Sequence, residues 1–177
     1  MAYITVPQLN EYTGNEEDST LKEVYIASAE EVIKDYLGYD PLIQEYTHIY
    51  SGVGDYRLYL KAQPIVYLAS ITIDDEEYDV EDFTLDGCSI YKTDYENVFT
   101  SGLDNIVLEY TAGYDDVDLP GIIQLTTLRI ASLMLQESGG NIGISGKTFA
   151  DTSRSFINYS DYKKYLKPLD SLRIIRI

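Results

Sequence analysis

Cysteine and histidine are nearly absent from this chain: Cys88 and His48 are the only examples of each. A lone cysteine excludes an internal disulfide framework and fits a reducing compartment such as a cytoplasm. One histidine and one cysteine cannot assemble a zinc site of the usual His/Cys kind within the chain. Long apolar runs are missing too. None approaches the ~18–20 residues that span a bilayer, and "MAYITVPQLNEY" lacks the basic, apolar pattern of a signal peptide. Positive charge is scarce: 13 Lys and Arg stand against 30 Asp and Glu, for a formal net charge of −17. Lys and Arg supply the grip on a phosphate backbone, so an acidic body of this kind is not expected to bind nucleic acid.

What is present is one domain's worth of chain, 177 residues, long enough to bury a core and to hold an inserted sub-domain. Its charge is uneven. Residues 1–146 carry 27 acids and 6 bases, whereas residues 147–177 carry 3 acids and 7 bases. An acidic body with a basic end is either a well-solvated surface or a chain whose end docks on something acidic, a neighbouring copy included.

The spacing of apolar residues predicts a first long helix over residues 18–37. Leu21, Val24, Tyr25, Ser28, Ala29, Val32, Ile33, Tyr36 and Leu37 recur at three- and four-residue steps. Thr20 and Glu23 have capping-box spacing, Gly38 offers a left-handed stop, and Pro41 prevents resumption. From 45 to 111 the period changes to short β-branched and aromatic runs separated by Gly, Pro and acidic clusters. Ser51-Gly52-Val53-Gly54-Asp55 is expected to turn a hairpin, "DDEEYDVED" (74–82) to form a connection, and Asp86-Gly87 to make a tight turn. A second helix is expected over 120–137, opened by Pro120 and ended by Gly139-Gly140, with apolar residues on more than one side. Residues 141–158 read as a Gly/Ser/Thr-rich loop, "YSDYKKYLKPL" as a short helical turn, and "SLRIIRI" as an extended end. The fold class is therefore α+β. It combines a small helical bundle (helices near 18–37 and 120–137, and a short C-terminal helix), an inserted antiparallel β sub-domain and an extended C-terminal tail. Within one domain, 18–44 and 115–140 form the helical core, 45–111 the insert, 141–167 a loop and short helix, and 168–177 the tail.

No chemistry-bearing motif survives inspection. "GGNIGISGKT" (139–148) resembles a phosphate-binding loop, but the first glycine of that motif falls on Asn141 and a helix, not a strand, precedes it. The acids at 74–77 lack calcium-loop spacing. His48 lies in the strand-like "EYTHIY" with no nucleophile-elbow motif elsewhere to suggest a triad, and Cys88 reads as a small buried hydrophobe. The expectation is no catalytic residue, no cofactor and no metal. The eighteen tyrosines offer large amphipathic contact area, which suits an assembly protein as well as ordinary strands.

Three stretches occur in a telling order: "LKEVYIASAEEVIKDYLGY", "LYLKAQPIVYLASITIDD" and "IVLEYTAGYDDVDLPGIIQLTTLRIASLMLQE". With the "YLGY" helix end, the "QPIVYLASITID" strand pair and "YTAGYDDVDLP" running straight into a helix, the chain resembles the head–tail connector (adaptor) proteins of long-tailed bacteriophages. The likeness is to their longer members with a β insert, and it covers most of residues 18–158. "GKTFADTSRSF" falls where that family carries a Gly/Ser-rich loop. The chain departs from the family in lacking an Arg-rich end to the second helix and in its long 141–177 tail.

The resemblance implies a non-enzymatic virion protein, made in the host cytoplasm and placed in the neck between capsid and tail. Such proteins form rings, commonly of twelve subunits, beneath the portal protein, contact further neck or tail proteins, and extend a channel through which DNA passes without specific binding. It also implies a C-terminal segment that reaches the portal, here Leu172, Arg173, Ile174, Ile175, Arg176 and Ile177. A basic, β-branched strand of this kind suits pairing with a partner's strand edge. A frayed terminus and an intrachain strand are the alternatives for it. The rival functions are a tail-completion or other assembly module, and a hydrolase using His48 or a carboxylate pair.

Overall fold

A computed structural model describes residues 2–16, 20–94, 99–138, 146–149, 152–155 and 162–174. The chain is α+β and divides into two compact units, Met1–Leu37 with Leu119–Arg173, and Gly38–Asp118 with Ile174–Ile177.

The first unit is helical. Helix α1 spans Val6–Thr13, a helix that the sequence pattern did not announce because Leu9 is its single buried residue. The capping box sits here: the Gln8 N–H donates to the Thr5 side chain, and the Thr5 N–H donates to Gln8 Oε1 at 2.7 Å. Helix α2 spans Thr20–Leu37 and stops, as expected, at Gly38 with φ 86°. The residues preceding Thr20 lie outside the described set, and with them any cap there.

The buried face of α2 is rotated from the expected stripe. Leu21 and Val24 are exposed, while Lys22, Ile26, Ala29, Glu30, Ile33 and Leu37 are buried. The cause is Lys22, whose ammonium donates to Asn10 Oδ1 at 2.5 Å and to the Asn15 carbonyl at 2.9 Å. A lysine with its hydrogen bonds supplied can enter a core that an unsatisfied one cannot.

Helix α3, Gly121–Ser138, packs against both α1 and α2 and against helix α4, Tyr162–Leu166. Ile123, Thr126, Thr127, Ile130, Ala131 and Leu133 are all buried, so burial on several sides holds. The Thr127 hydroxyl donates back to the Ile123 carbonyl at 2.8 Å, which satisfies it inside the bundle.

Two expectations for the C-terminal third need correction. Gly146–Phe149 (β8) and Thr152–Ser155 (β9) pair as an antiparallel hairpin within the stretch read as a loop. The glycines at 139–140 lie outside the described residues. Residues 168–172, expected to be extended, belong instead to a 3-10 turn, Lys167–Leu172. Pro168 sits in its first turn, where its fixed φ and missing N–H cost nothing, and Leu169 is fully buried and holds the turn down.

The second unit carries two sheets. The larger has β1 (Gln44–Gly52), β3 (Ile65–Ile73), β4 (Glu76–Tyr78) and β7 (Gly102–Ala112) in the order β1-β7-β3-β4. All of its pairings are antiparallel. The smaller has β2 (Arg57–Tyr59), β5 (Phe83–Asp86) and β6 (Ser89–Lys92) in the order β2-β6-β5.

Ser51–Asp55 does not turn a hairpin, because β1 pairs with β7 and β2 with β6. Gly52 lets the chain leave the first sheet: a Cβ there would overlap the Thr100 carbonyl oxygen. The acidic 74–82 segment is likewise not a plain connection. Asp74 and Asp75, at φ 53° and 66°, make a two-residue hairpin turn, β4 follows, and Val80–Asp82 is a 3-10 turn. Asp86-Gly87 turns β5 into β6 as expected.

On the inner face of the larger sheet Ile106, Leu108 and Tyr110 of β7 alternate with outward residues. They stand beside Leu68, Ile71 and Ile73 of β3, all buried.

Candidate functional site

The same inner face gathers four rings of unusual polarity. Tyr46, His48 and Tyr50 are alternate residues of β1 and point one way. Register pairs Tyr46 with Tyr110 on β7. His48 Nδ1 lies 2.9 Å from the Tyr110 hydroxyl, which lies 3.2 Å from the Tyr50 hydroxyl. The Lys61 N–H donates to Tyr50 at 2.9 Å, and the Lys61 ammonium donates to the Ile49 carbonyl at 2.9 Å while lying 4.6 Å from the Tyr50 ring centre. Tyr46 stacks on His48, with ring centres 5.4 Å apart, and its hydroxyl donates to the Asp40 carbonyl.

Burial sets the electrostatics of this cluster. Loss of solvent, and then the nearby Lys61 charge, lowers the pKa of His48 below its usual value, favouring the neutral ring. Desolvation raises Tyr50, and raises Tyr110 far more. Tyr39 beside them is pushed up to about 12, chiefly by burial. The result is a chain of neutral hydroxyl and imidazole groups linked through His48 Nδ1, Tyr110 and Tyr50.

A cavity of about 430 Å³ opens on this cluster, lined by Gly38, Tyr39, Tyr46, His48, Lys61 and, from the C-terminal segment, Ile174. The structure thus sets one residue of the expected docking tail against the sheet unit's aromatic pocket. Arg173 lies elsewhere: its guanidinium stands 5.0 Å from the Tyr36 ring centre in the helical unit, where the Tyr36 hydroxyl donates to Asp170. That bond is the main reason the Tyr36 pKa is raised. Leu172 ends the 3-10 turn, half-buried. Ile175, Arg176 and Ile177 lie outside the described residues.

The other sequence candidates stay apart from this cluster. Cys88 is half-buried within the two-residue β5–β6 turn, its carbonyl accepting from the Leu60 N–H at 2.8 Å. Asp74 accepts from Thr100 and from Asn105 Nδ2, and these bonds lower its pKa. Among the described residues no group of His, Cys, Asp and Glu is placed to hold a metal ion, and no helix is long and apolar enough to cross a membrane. Lys147 falls in β8, and most of the glycine-rich stretch before it lies outside the described residues. What sequence reading missed is the Tyr46–His48–Tyr50 alternation, a two-residue period that would have put His48 among tyrosines on one face.

A helical unit joined to an antiparallel two-sheet unit defines the fold class, and that fold recurs in solved particle structures. The chain is similar to one in the neck of an empty GTA particle computed with C6 symmetry: TM-score 0.61, 10% identity, over 99% of this chain and 91% of that one. It is similar to one in the neck of a native GTA particle computed with C12 symmetry, at TM-score 0.60 and 11% identity, over 97% and 89%. A chain in the virion of a native gene transfer agent (GTA) particle gives TM-score 0.62 and 11% identity over 99% and 91%. At this identity the likeness is one of fold. No family model and no curated protein matches the sequence.

Proposed function

We propose that this protein is a structural, non-enzymatic virion component: a ring-forming head–tail connector that docks beneath a portal, extends the DNA channel and joins capsid to tail. The observation that carries this reading is the correspondence of fold along nearly the whole chain with chains from particle necks computed with C6 and C12 symmetry. The sequence resemblance to phage connectors points the same way from independent features.

The charge distribution supports passage of DNA without binding. Residues 38–118 hold 18 acids and 3 bases, and such a surface repels a phosphate backbone. Residues 172–177 are the proposed portal-docking segment. Nor does His48 carry a hydrolase's orienting pair: its Nδ1 stands against the Tyr110 hydroxyl at 2.9 Å, where the base of a catalytic triad is held by a carboxylate.

Electron microscopy of the purified chain mixed with its cognate portal tests the proposal. Rotationally symmetric density beneath the portal is the expected result, and its absence at every ionic strength rejects the reading. Symmetric density on a tail terminus instead would identify a tail-completion module.

A further inference from the structure

A second cavity, of about 650 Å³, lies within the helical unit between α3 and α4. Its walls include Tyr12, Arg129, Leu133, Gln136, Lys164 and Tyr165. Two cations converge there on one ring: the Arg129 guanidinium carbon is 6.0 Å, and the Lys164 ammonium 5.3 Å, from the centre of Tyr165. Arg129 has no carboxylate within ion-pair distance among the described residues, although the chain carries more than twice as many acids as bases. Tyr12 at the rim is 46% exposed. The groove thus sets Arg129, with no carboxylate against it among the described residues, beside a second cation, Lys164, and aromatic walls, which is chemistry for an acidic peptide segment that also carries apolar residues.

The same chain contains such a segment. Seven of the nine residues in Asp74-Asp75-Glu76-Glu77-Tyr78-Asp79-Val80-Glu81-Asp82 are acidic, and all seven are exposed. None pairs with a lysine or arginine among the described residues. The segment has a fixed shape. The two-residue turn at Asp74-Asp75 and the 3-10 turn capped by Asp79 hold its backbone, so little conformational entropy is lost when it docks. A ring built by rotation needs two different, complementary patches on one chain, since each subunit meets the next head to tail.

We propose that the Arg129–Lys164 groove receives the acidic 74–82 segment of a second copy of this chain, forming the lateral contact of the ring. The inference rests on the ring reading above and gives that ring its contact.

Charge reversal tests it. Arg129→Glu with Lys164→Glu, and separately Glu76→Lys with Glu77→Lys, are each expected to raise the concentration needed for assembly by about tenfold or more, read by native mass spectrometry. The chain carrying all four changes is expected to regain most of the loss. Circular dichroism melting identifies any variant that fails to fold, and the charge-removing pair Arg129→Gln and Lys164→Gln then replaces it. A zero-length carbodiimide cross-link between Lys164 and residues 74–82, in a mixture of isotope-labelled and unlabelled wild-type chains, reads the contact directly.

Rings that persist unchanged in both reversed variants overturn the inference and leave the ring reading intact. A wild-type chain that stays monomeric even with its portal present but gives the intermolecular cross-link keeps the contact and rejects the ring. Monomers without the cross-link, the portal again present, reject both.

Discussion

His48 Nδ1 and the Tyr110 hydroxyl lie 2.9 Å apart across the β1–β7 pair, in a site that lowers the histidine's pKa by desolvation. The folded protein therefore holds His48 neutral where the unfolded chain, with its pKa near 6.5, begins to take up a proton. As pH falls below about 6.5 the unfolded state binds the extra proton first, and stability is lost down to the folded-state pKa. Above the unfolded value the contribution is fully present. Denaturant melts between pH 7.5 and 5.5, above the range where most carboxylates titrate, should show this loss. His48→Phe should flatten the slope. An unchanged slope in that variant would assign the titration to another group.

Gly113 stands where β7 leaves the sheet, at φ 118°. Its N–H donates to the Pro64 carbonyl at 2.9 Å, and a Cβ there would sit 2.5 Å from the Leu42 carbonyl carbon. Gly113→Ala is expected to destabilise by on the order of 1–3 kcal/mol, from backbone strain together with displacement of residues 42–43. Urea melts check this. Gly87→Ala serves as the comparison, because a Cβ at Gly87 meets nothing within 4 Å and only the positive φ opposes it.

The glycines were legible because they punctuate locally. Gly38 ended α2 and Gly87 turned β5, just as their neighbours in sequence suggested. Helix α3 was legible too, since its apolar residues form a long run. Features set by distant partners were hidden. Asn10 and Asn15 turn the α2 face toward Lys22, and nothing in the 20–37 pattern names them. Turn residues at 51–55 look the same whether the next strand returns to the first sheet or starts another. Tyr110 reaches His48 from 62 residues away, and Arg129 meets Tyr165 across two helices. Pro168 suggested a break, but it opens a 3-10 turn because Leu169 has a core to enter.

Lys22 gives a direct test of the rotated α2 face. It is 1% exposed, and its ammonium satisfies the Asn15 carbonyl and Asn10 Oδ1. Lys22→Met keeps the stem but removes the donor, leaving partly buried acceptors without it. The expected loss is about 1–3 kcal/mol. Leu21→Ala, on the exposed side, should change stability by under about 0.5 kcal/mol despite removing a larger apolar group. Equal losses in the two variants would contradict the observed face.

Salt should act on assembly in two opposite senses. Copies of net charge −17 repel one another at low ionic strength, and screening at about 0.15 M, with a Debye length near 8 Å, relieves this. At higher salt the ion pairs proposed at Arg129 and Lys164 weaken in turn. Sedimentation from 20 mM to 1 M salt, at fixed protein concentration, should show ring content passing through a maximum. A steady rise would count against an ion-paired lateral contact, and a steady fall against repulsion as the main barrier.

The tail divides at Arg173, and truncation at two points separates folding from docking. Leu169 is fully buried, Asp170 accepts from Tyr36, and Arg173 stands over the same ring, all within the helical unit. A chain ending at Lys167 loses all three. The buried leucine alone is expected to cost about 2–5 kcal/mol, so this chain should melt early. A chain ending at Arg173 keeps them and loses only Ile174 and the three residues after it. Ile174 contributes one wall of the Tyr39–Tyr46–His48 pocket, and its removal opens that pocket without touching the β1–β7 ladder. The melting temperature of this second chain should lie within a few degrees of wild type. If residues 172–177 dock on a portal, it should nonetheless fail to bind one in a pull-down. Binding at wild-type strength would remove the docking role from Ile174, Ile175, Arg176 and Ile177 and leave it to the folded units.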